Sequence, residues 1–395
     1  MKEAVMVKYD YSAIPYFDNH THELDYDRTG YTPEELSISF LHGFRDMPAA
    51  AGNGEDWISA GQAQDLRNLG VVKTMVCMMA KRFGCAPNLD AVTEYRNSLT
   101  LSGQEEYAKV LYREAGIIGC MIDSGFPMGD LRTRFPCRTF RLFRMDPVLT
   151  ELKRQCQSYA ELKKTFLDRV CEAVGEGYAG IKCHIGEIHT LQVRYVTEYE
   201  AEKAYASAIL GDPKASELVY FAIFCEMMKL CGEKDIPIHI HTGCTGGSGN
   251  GRIGELNPLL MAEFLNDREF QKTKIVFLHG SYPDIRNAAL MTHMFPNIWM
   301  DLSWVSPWTS MDYENILQAV LGVAVHSRVL LGTGQHGIPE MSWMAAHLAR
   351  RSLEHIMEGL SAQGIISEEQ AYETAEQLLV GNARRLYHFP EEEER

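Results

Sequence analysis

Histidines end several of the apolar runs in this sequence. His20 and His22 form a His-x-His pair directly after the segment IPYFDN. Residues i and i+2 of an extended chain point the same way, so both imidazoles can face one metal ion at the end of a strand. A second pair, His239 and His241, ends another apolar run, and His279 ends the run KIVFLHG. Because inward-facing positions of barrel strands are normally Val, Ile or Leu, these histidines predict a nitrogen-rich metal site of the zinc type.

Only one histidine of the second pair is expected to reach the metal. A side chain two residues earlier on a strand lies one layer deeper in a barrel. We therefore interpret His241 as the ligand at the mouth and His239 as a buried, hydrogen-bonded core residue. The predicted ligand set for one or two divalent ions, Zn²⁺ by preference, is then His20, His22, His241 and His279.

Short apolar runs that end in polar residues are the candidate strands. They are residues 14–18, 71–79, 116–122, 178–183, 236–241, 274–278, 298–302 and 329–331. Stretches with helical apolar spacing lie between them, at 105–115, 159–174, 217–231, 256–265 and 311–325. A closing helix is predicted for 367–389, with Ser367 as its N-cap.

Alternating strands and helices predict parallel strands that are covered by helices. Eight repeats favour an α/β fold of the closed (β/α)8 TIM-barrel type, with residues 1–395 as a single domain and a C-terminal helix. A doubly wound open sheet is the alternative, although no Gly-x-Gly-x-x-Gly follows the first strand. The long segments 23–70, 124–158 and 184–216 are expected to fold over the mouth as lids or substrate loops.

Composition narrows the possible partners. The formal net charge of −15 disfavours binding to nucleic acids and to anionic membranes. No signal peptide or apolar run of about 18 residues is evident, and the ten cysteines are dispersed through apolar stretches. We therefore expect a cytoplasmic protein with reduced thiols and a small-molecule substrate.

Several segments together resemble the amidohydrolase superfamily. They are the His-x-His pair of the first strand, Gly-Ile-Lys at 180–182, and the histidines that end the fifth and sixth strands. The closer likeness is to an amidohydrolase-related branch that includes the barrel domain fused to glutamine-synthetase-like proteins. The segments IHTG (240–243), LHGSYP (278–283), GIPE (337–340) and GNARRLY (381–387) carry it.

The resemblance implies roles for further residues. His20 and His22 would bind the more buried metal, and His241 and His279 would complete a mononuclear or binuclear centre. Lys182 would either bridge two ions as a carbamate, bind a substrate carboxylate, or pair with an acid of the barrel. Arg144 would grip a substrate carboxylate. A homodimer is expected by the same resemblance.

One position departs from the family pattern. The family has a metal-binding, proton-accepting aspartate after the eighth strand, where this chain has Gly334 in RVLLGTGQHGIPE. Glycine can neither bind a metal nor accept a proton, so another group must accept the proton of an attacking water. The candidates are His279 itself, and His336 or Glu340 from the same loop.

A third source of a replacement base is the cluster CHIGEIH after the fourth strand. It contains His184, Glu187 and His189 near the predicted mouth. His184 is also a candidate substrate contact, together with Arg144 and Lys182. Within the seventh candidate strand, Asp301 could orient a metal ligand.

The predicted function is a metal-dependent hydrolase that acts on a small, carboxylate-bearing amide or another C–N bond. Because of Gly334, two alternatives stay open. One is a non-hydrolytic relative, a decarboxylase or isomerase, in which the metal stabilises an enolate-like charge. The other is a non-catalytic barrel that binds a ligand.

Overall fold

Eight parallel strands form the centre of the molecule. The computed structural model describes residues 9–40, 65, 67–124, 135–244 and 253–389. The strands are β1 (Tyr16–Thr21), β2 (Ile117–Ile122), β3 (Arg138–Arg144), β4 (Tyr178–Cys183), β5 (Ile238–Ile240), β6 (Ile275–Phe277), β7 (Ile298–Asp301) and β8 (Val329–Leu330). They pair in the order β1 to β8, and every pair is parallel.

The first and last strands complete the barrel. The amide of Asn19 donates to the carbonyl of Leu331 over 2.9 Å, and the amide of Gly334 donates to the carbonyl of His20 over 2.7 Å. The segment after β8 therefore lies against β1, and the eight strands form a nearly closed (β/α)8 barrel. This confirms the predicted TIM-barrel class and excludes the doubly wound sheet.

Helices surround these strands. In the described residues the α-helices are α1 (Pro33–Ser39), α2 (Gly70–Phe83), α3 (Leu89–Leu99), α4 (Glu105–Glu114), α5 (Met145–Gln155), α6 (Tyr159–Gly175), α7 (Ile185–Ile188), α8 (Glu198–Ile209), α9 (Pro213–Lys234), α10 (Ala262–Leu265), α11 (Ile285–Met294), α12 (Val305–Trp308), α13 (Tyr313–Leu321), α14 (Pro339–Ala362), α15 (Glu368–Glu376) and α16 (Asn382–Tyr387). Short 3₁₀ turns cover Pro258–Met261, Leu278–Ser281 and His326–Arg328, and a π turn, Gln377–Gly381, joins α15 to α16. None of the helices in this part of the chain combines the length and apolarity that a membrane crossing requires.

Side chains at the first residues set several helix starts. The hydroxyl of Ser158 accepts from a backbone amide at the start of α6, and Asp212 does so before Pro213 of α9. Thr197 and Ser367 each form a capping box, before α8 and α15. The prediction of Ser367 as an N-cap is thereby confirmed.

One candidate strand was wrong and one strand was missed. Residues 71–79 lie within helix α2, where Val71, Val72, Met75 and Met79 are buried at helical spacing. The missed strand is β3, whose sequence RTFRLFR carries three arginines and only one fully buried residue. The count of eight strands therefore holds although one of its members was misassigned.

The predicted lid segments also contain regular structure. Segment 124–158 includes β3 and α5, so it is part of the barrel rather than one long loop. Segment 184–216 includes α7, α8 and the start of α9, and segment 23–70 includes α1. Residues 41–64, 66 and 125–134 of these segments lie outside the described residues.

Candidate metal centre

The four predicted ligands lie together at the carboxyl ends of three strands. His20 is in β1, His22 follows it, and His241 and His279 follow β5 and β6. The ring of His20 lies 5.1 Å, between centroids, from those of His22 and His279, and the His241 ring lies 4.5 Å from that of His279. All four are buried. The barrel thus brings them into one group, while their role as ligands stays a prediction.

Asp123 joins this group from the end of β2. The ligand atoms of His20, His22 and Asp123 all lie within 4.8 Å of one another. Sequence reasoning missed this residue. The available signal was its position, because Asp123 directly follows the apolar strand IIGCMI, as the histidines follow theirs.

Buried polar atoms without partners suggest what this group binds. Both ring nitrogens of His20, Oδ2 of Asp123 and Nε2 of His279 are buried and make no hydrogen bond. Such atoms cost free energy unless another group satisfies them. Imidazole nitrogen and carboxylate oxygen are ligands that divalent zinc and related ions take, so these residues fit a metal.

The hydrogen bond of His22 presents its other nitrogen as a ligand. Nδ1 of His22 lies 2.9 Å from the carbonyl oxygen of Asp123. A carbonyl can only accept, so Nδ1 must donate its proton. The lone pair is then on Nε2, which is the state that a metal ligand requires.

His279 is oriented in the same way through a serine. Its Nδ1 lies 2.9 Å from the hydroxyl of Ser303, which in turn contacts the carboxylate of Asp301. The ring of His279 also stacks on Trp304 at 3.9 Å. Burial raises the pKa of Asp301 to about 6. Asp301 therefore contacts the ring of His279 through Ser303 and its backbone amide directly over 3.4 Å, which fits the orienting role that the sequence had suggested.

Two cations lie beside Asp123. Nε of Arg144 is 2.5 Å from its Oδ1, and Nζ of Lys182 is 3.6 Å from its Oδ2. Burial raises the pKa of Asp123, but Lys182 and Arg144 outweigh burial and hold that pKa well below its usual value. Burial lowers the pKa of Lys182. Asp123 is therefore an ionised carboxylate, suited to binding a cation.

The histidines are neutral for a different reason. Burial, and then the nearby Lys182, holds the pKa of His20 well below its usual value. Burial lowers the pKa of His241 to about 4 and holds that of His279 well below its usual value. Neutral imidazole is the form that binds metals.

A second group of possible ligands lies next to the first. The ligand atoms of His184, Glu187 and His241 are also within 4.8 Å of one another. His184 and Glu187 come from the start of α7, directly after β4. His189, from the same sequence cluster, packs instead against the rings of Tyr220 and Phe221.

The two candidate bases after β8 have different surroundings. The ring of half-buried His336 lies 4.4 Å from that of His22. Glu340 is buried and pairs with Arg96, with 2.8 Å between Oε1 and Nε. The structure thus places His336 at the first ligand group and gives Glu340 a partner on α3.

Trp304 fills the space beside Gly334. Its indole nitrogen donates to the carbonyl of Gly334 over 2.7 Å. A Cβ at Gly334 would overlap the indole ring, and the φ of 63° disfavours any side chain there. An aspartate at position 334 is therefore incompatible with this packing. A Gly334→Asp variant would disturb Trp304 and so would not report on whether the chain merely lacks a proton acceptor there.

His239 lies deeper in the barrel than His20, His22, His241 and His279, as the strand geometry predicted. Its Nε2 is 3.0 Å from the hydroxyl of Tyr387, and the residue is fully buried. Tyr387 also donates to Oδ1 of Asn19. His239 is thus held by the C-terminal helix α16.

Comparison with known proteins gives matches to sequence and fold. A family model described as amidohydrolase matches residues 172–389, which is more than half of the 395-residue chain. Protein fluG of Emericella nidulans is 31% identical over 157 residues, which are 40% of this chain and 18% of that protein. The match thus spans less than one fifth of the fungal relative.

Solved structures share the fold at low identity. One described as a metal-dependent hydrolase from Lactobacillus casei has a TM-score of 0.79 at 19% identity, with 95% of this chain and 96% of that chain covered. Uronate isomerase from Thermotoga maritima has a TM-score of 0.67 at 13% identity, with 95% of each chain covered. Glucuronate isomerase from Caulobacter crescentus has a TM-score of 0.67 at 15% identity, with 97% and 93% covered.

Proposed function

Because this chain belongs to the amidohydrolase superfamily, we propose that it is a metal-dependent hydrolase of a small, carboxylate-bearing amide or another C–N bond. The observation that carries the proposal is the group of His20, His22 and Asp123. Three ligands of two types that bind divalent metals converge there, and neither ring nitrogen of His20 makes a hydrogen bond.

The ion proposed for this group is Zn²⁺, with His279 facing the same space. Zn²⁺ would polarise the substrate carbonyl and lower the pKa of a water molecule. The family has an acidic ligand after β8, and this chain has none at that position. Asp123, which directly follows β2, would serve as the acidic ligand instead. Because Lys182 and Arg144 hold the pKa of Asp123 low, it is a poor proton acceptor and a good anionic ligand.

His336 is the proposed proton acceptor. It follows β8 by a few residues, its ring is beside His22, and its side chain is half-buried. His279 is held by Ser303 and Trp304 in the manner of a ligand, and Glu340 is engaged by Arg96. Both facts favour His336 over His279 and Glu340.

Arg144 and Lys182 support a carboxylate-bearing substrate. The guanidinium of Arg144 has five N–H donors, and its Nε–H donates to Asp123. Because 26% of the Arg144 side chain is exposed, a substrate can reach it. Lys182 faces the anionic Asp123, which favours an ammonium group over a negatively charged carbamate. We propose that the two cations fix Asp123 and attract the substrate carboxylate toward the mouth.

Turnover of a panel of N-acyl and cyclic amides that carry a carboxylate tests the proposal. We expect the Zn²⁺-loaded protein to hydrolyse a member of the panel, chelation to abolish turnover and Zn²⁺ to restore it. His336→Gln is expected to lower kcat by about 10²–10⁴-fold, the range for loss of a general base. His293→Gln, which changes an exposed histidine of α11, is the matched control.

Wild-type turnover by His336→Gln would contradict the proposal that His336 is the proton acceptor. An Asp123→Asn variant that binds as many Zn²⁺ ions as the wild type would contradict the ligand assignment. A metal-free wild-type protein without turnover would support a non-catalytic barrel instead.

A non-hydrolytic decarboxylase or isomerase is the second candidate. The observation in its favour is that Trp304 fills the position of the acid after β8. Release of CO₂ or formation of an isomer from carboxylate substrates, without amide hydrolysis, would select it.

A further inference from the structure

We propose a second cation site, formed by His184, Glu187 and His241 at the carboxyl ends of β4 and β5. It shares no residue with the group of His20, His22 and Asp123. It goes beyond the proposed hydrolase function, because its existence does not depend on which reaction the barrel catalyses.

The carboxylate of Glu187 lies between the two imidazoles. Its Oε2 is 3.8 Å from Nε2 of His184, and its Oε1 is 3.8 Å from Nε2 of His241. Ligand atoms of a tetrahedral zinc ion are roughly 3.4 Å apart when each is about 2.1 Å from the metal. One ligand atom of each of the three residues lies within 4.8 Å of the others, so side-chain movements of about 1 Å would bring them to coordination distance.

His184 is oriented as a ligand by a buried carboxylate. Its Nδ1 is 2.9 Å from Oδ2 of Asp146, and its backbone amide donates to the same oxygen over 3.0 Å. The hydroxyl of Tyr220 donates to Oδ1 of Asp146. With Nδ1–H of His184 donating to the carboxylate of Asp146, Nε2 is the ring atom that faces Glu187 and a bound cation.

Two histidines and one carboxylate leave a coordination position open. His184 and Glu187 are about one-fifth exposed, whereas His241 is nearly buried. The site is therefore reachable from the mouth of the barrel, as a site with a position for water or substrate must be.

One existing contact must be replaced on binding. Nε2 of His241 lies 3.2 Å from the carbonyl of Cys244, which requires a proton on that nitrogen. For Nε2 to bind a cation, the single proton of the neutral ring must be carried on Nδ1 instead, and the contact with Cys244 is lost. The alternative is a charged His184 that forms ordinary ion pairs with Asp146 and Glu187, with no metal.

Metal stoichiometry of the full chain separates these states. The metal-free protein is dialysed against Zn²⁺ and its metal content is measured, and Co²⁺ absorption spectra report the ligands. We expect two ions per chain in the wild type and one in His184→Gln and in Glu187→Gln. Asp123→Asn should keep one ion, at the second site. His189→Gln is the matched control from the same segment and should keep two, because His189 packs on aromatic rings.

Asp146 is a positioning residue, and Asp146→Asn tests it. We expect Zn²⁺ affinity at the second site to fall by about 10–100-fold, with the first site unchanged. Circular dichroism of each variant checks that the fold is retained, and Glu187→Gln serves if His184→Gln does not fold.

The outcomes also separate this site from the first. One ion in the wild type that Asp123→Asn removes would overturn the second site and keep the proposed hydrolase centre. One ion that Glu187→Gln removes would keep the second site and overturn the first. Two ions in both His184→Gln and Glu187→Gln would overturn the second site.

Discussion

At the residue scale, three histidines of the site share one arrangement, in which Nδ1 contacts an oxygen atom. Nδ1 of His22, His184 and His279 lies within 2.9 Å of a backbone carbonyl, a carboxylate and a hydroxyl, respectively. In each case the bonded oxygen can accept the Nδ1 proton, and Nε2 is then the ring atom that faces the candidate metal position. A neutral, pre-oriented imidazole costs little entropy when it binds a metal, so these contacts are part of the site.

Ser303→Ala tests the orientation of His279. The change removes the hydroxyl that links His279 to Asp301, so we expect Zn²⁺ affinity at the group containing His279 to fall by about 10–100-fold. Ser306→Ala is the control, because the buried hydroxyl of Ser306 makes no hydrogen bond. Equilibrium dialysis measures both, and equal affinities of the two variants would contradict the orienting role.

Gly334→Ala tests the packing at the position of the missing acid. A methyl group there would overlap Trp304, and we expect a loss of about 1–3 kcal/mol for overpacking in addition to the strain of a positive φ. Gly364→Ala has a φ of 70° and open space, so it should cost only the strain, about 1–2 kcal/mol. Urea unfolding compares the two variants. Equal losses of unfolding free energy in the two variants would mean that Trp304 moves aside without destabilising the protein.

At the scale of elements, barrel strands were recognised where apolar runs were continuous. The strands β4 to β7 were predicted within a few residues, because buried parallel strands are apolar on both faces. Strand β3 was missed because its arginines interrupt the pattern. Arg138 and Arg141 instead lie over the rings of Phe140 and Tyr178, and Arg144 contacts Asp123.

A buried ion pair joins helices α3 and α14. Arg96 and Glu340 are both almost fully buried. Arg96→Met leaves Glu340 without its charge partner, and we expect a loss of about 3–5 kcal/mol in the free energy of unfolding. The double variant Arg96→Met/Glu340→Met should recover much of it, because no unpaired charge remains.

Arg82→Met is the control for this pair. Arg82 pairs with Glu114 at the surface, and exposed pairs contribute at most about 1 kcal/mol. Urea denaturation gives the free energy of unfolding of the wild type and of the three variants. A loss in Arg96→Met no larger than that in Arg82→Met would contradict a structural role for the buried pair.

At the scale of the whole molecule, the end of the chain closes the barrel interior. The ring of Phe389 stacks on that of Phe17 at 4.9 Å, and Tyr387 bonds to Asn19 and His239. Residues more than 360 positions apart in the chain thus meet inside the barrel. The polar layer below the metal group depends on the C-terminal helix.

Tyr387→Phe tests this dependence. Loss of the hydroxyl leaves buried polar atoms of Asn19 and His239 without it, so we expect a destabilisation of about 1–3 kcal/mol. Tyr372→Phe, in exposed surroundings on α15, should change stability by at most about 0.5 kcal/mol. Thermal and urea unfolding measure both, and metal content should stay at the wild-type value. Equal stability of the two variants would show that the hydroxyl is dispensable.

Local patterns in the sequence were enough to predict the barrel class and the gathering of the four histidines at one end of the barrel. Parallel strands deliver their carboxyl ends to one rim, so a histidine at the end of each strand reaches the same place without further information. The single domain over 1–395, the cytoplasmic location and the homodimer stay predictions.

Only the tertiary structure decided the remaining contacts. It brought Asp123 of β2 to His20 and His22, placed Arg144 on that carboxylate, and filled the space at Gly334 with Trp304. Each of these depends on which strands are neighbours and on how side chains pack between them. Such contacts join residues distant in the chain, and periodicity along one segment carries no information about them.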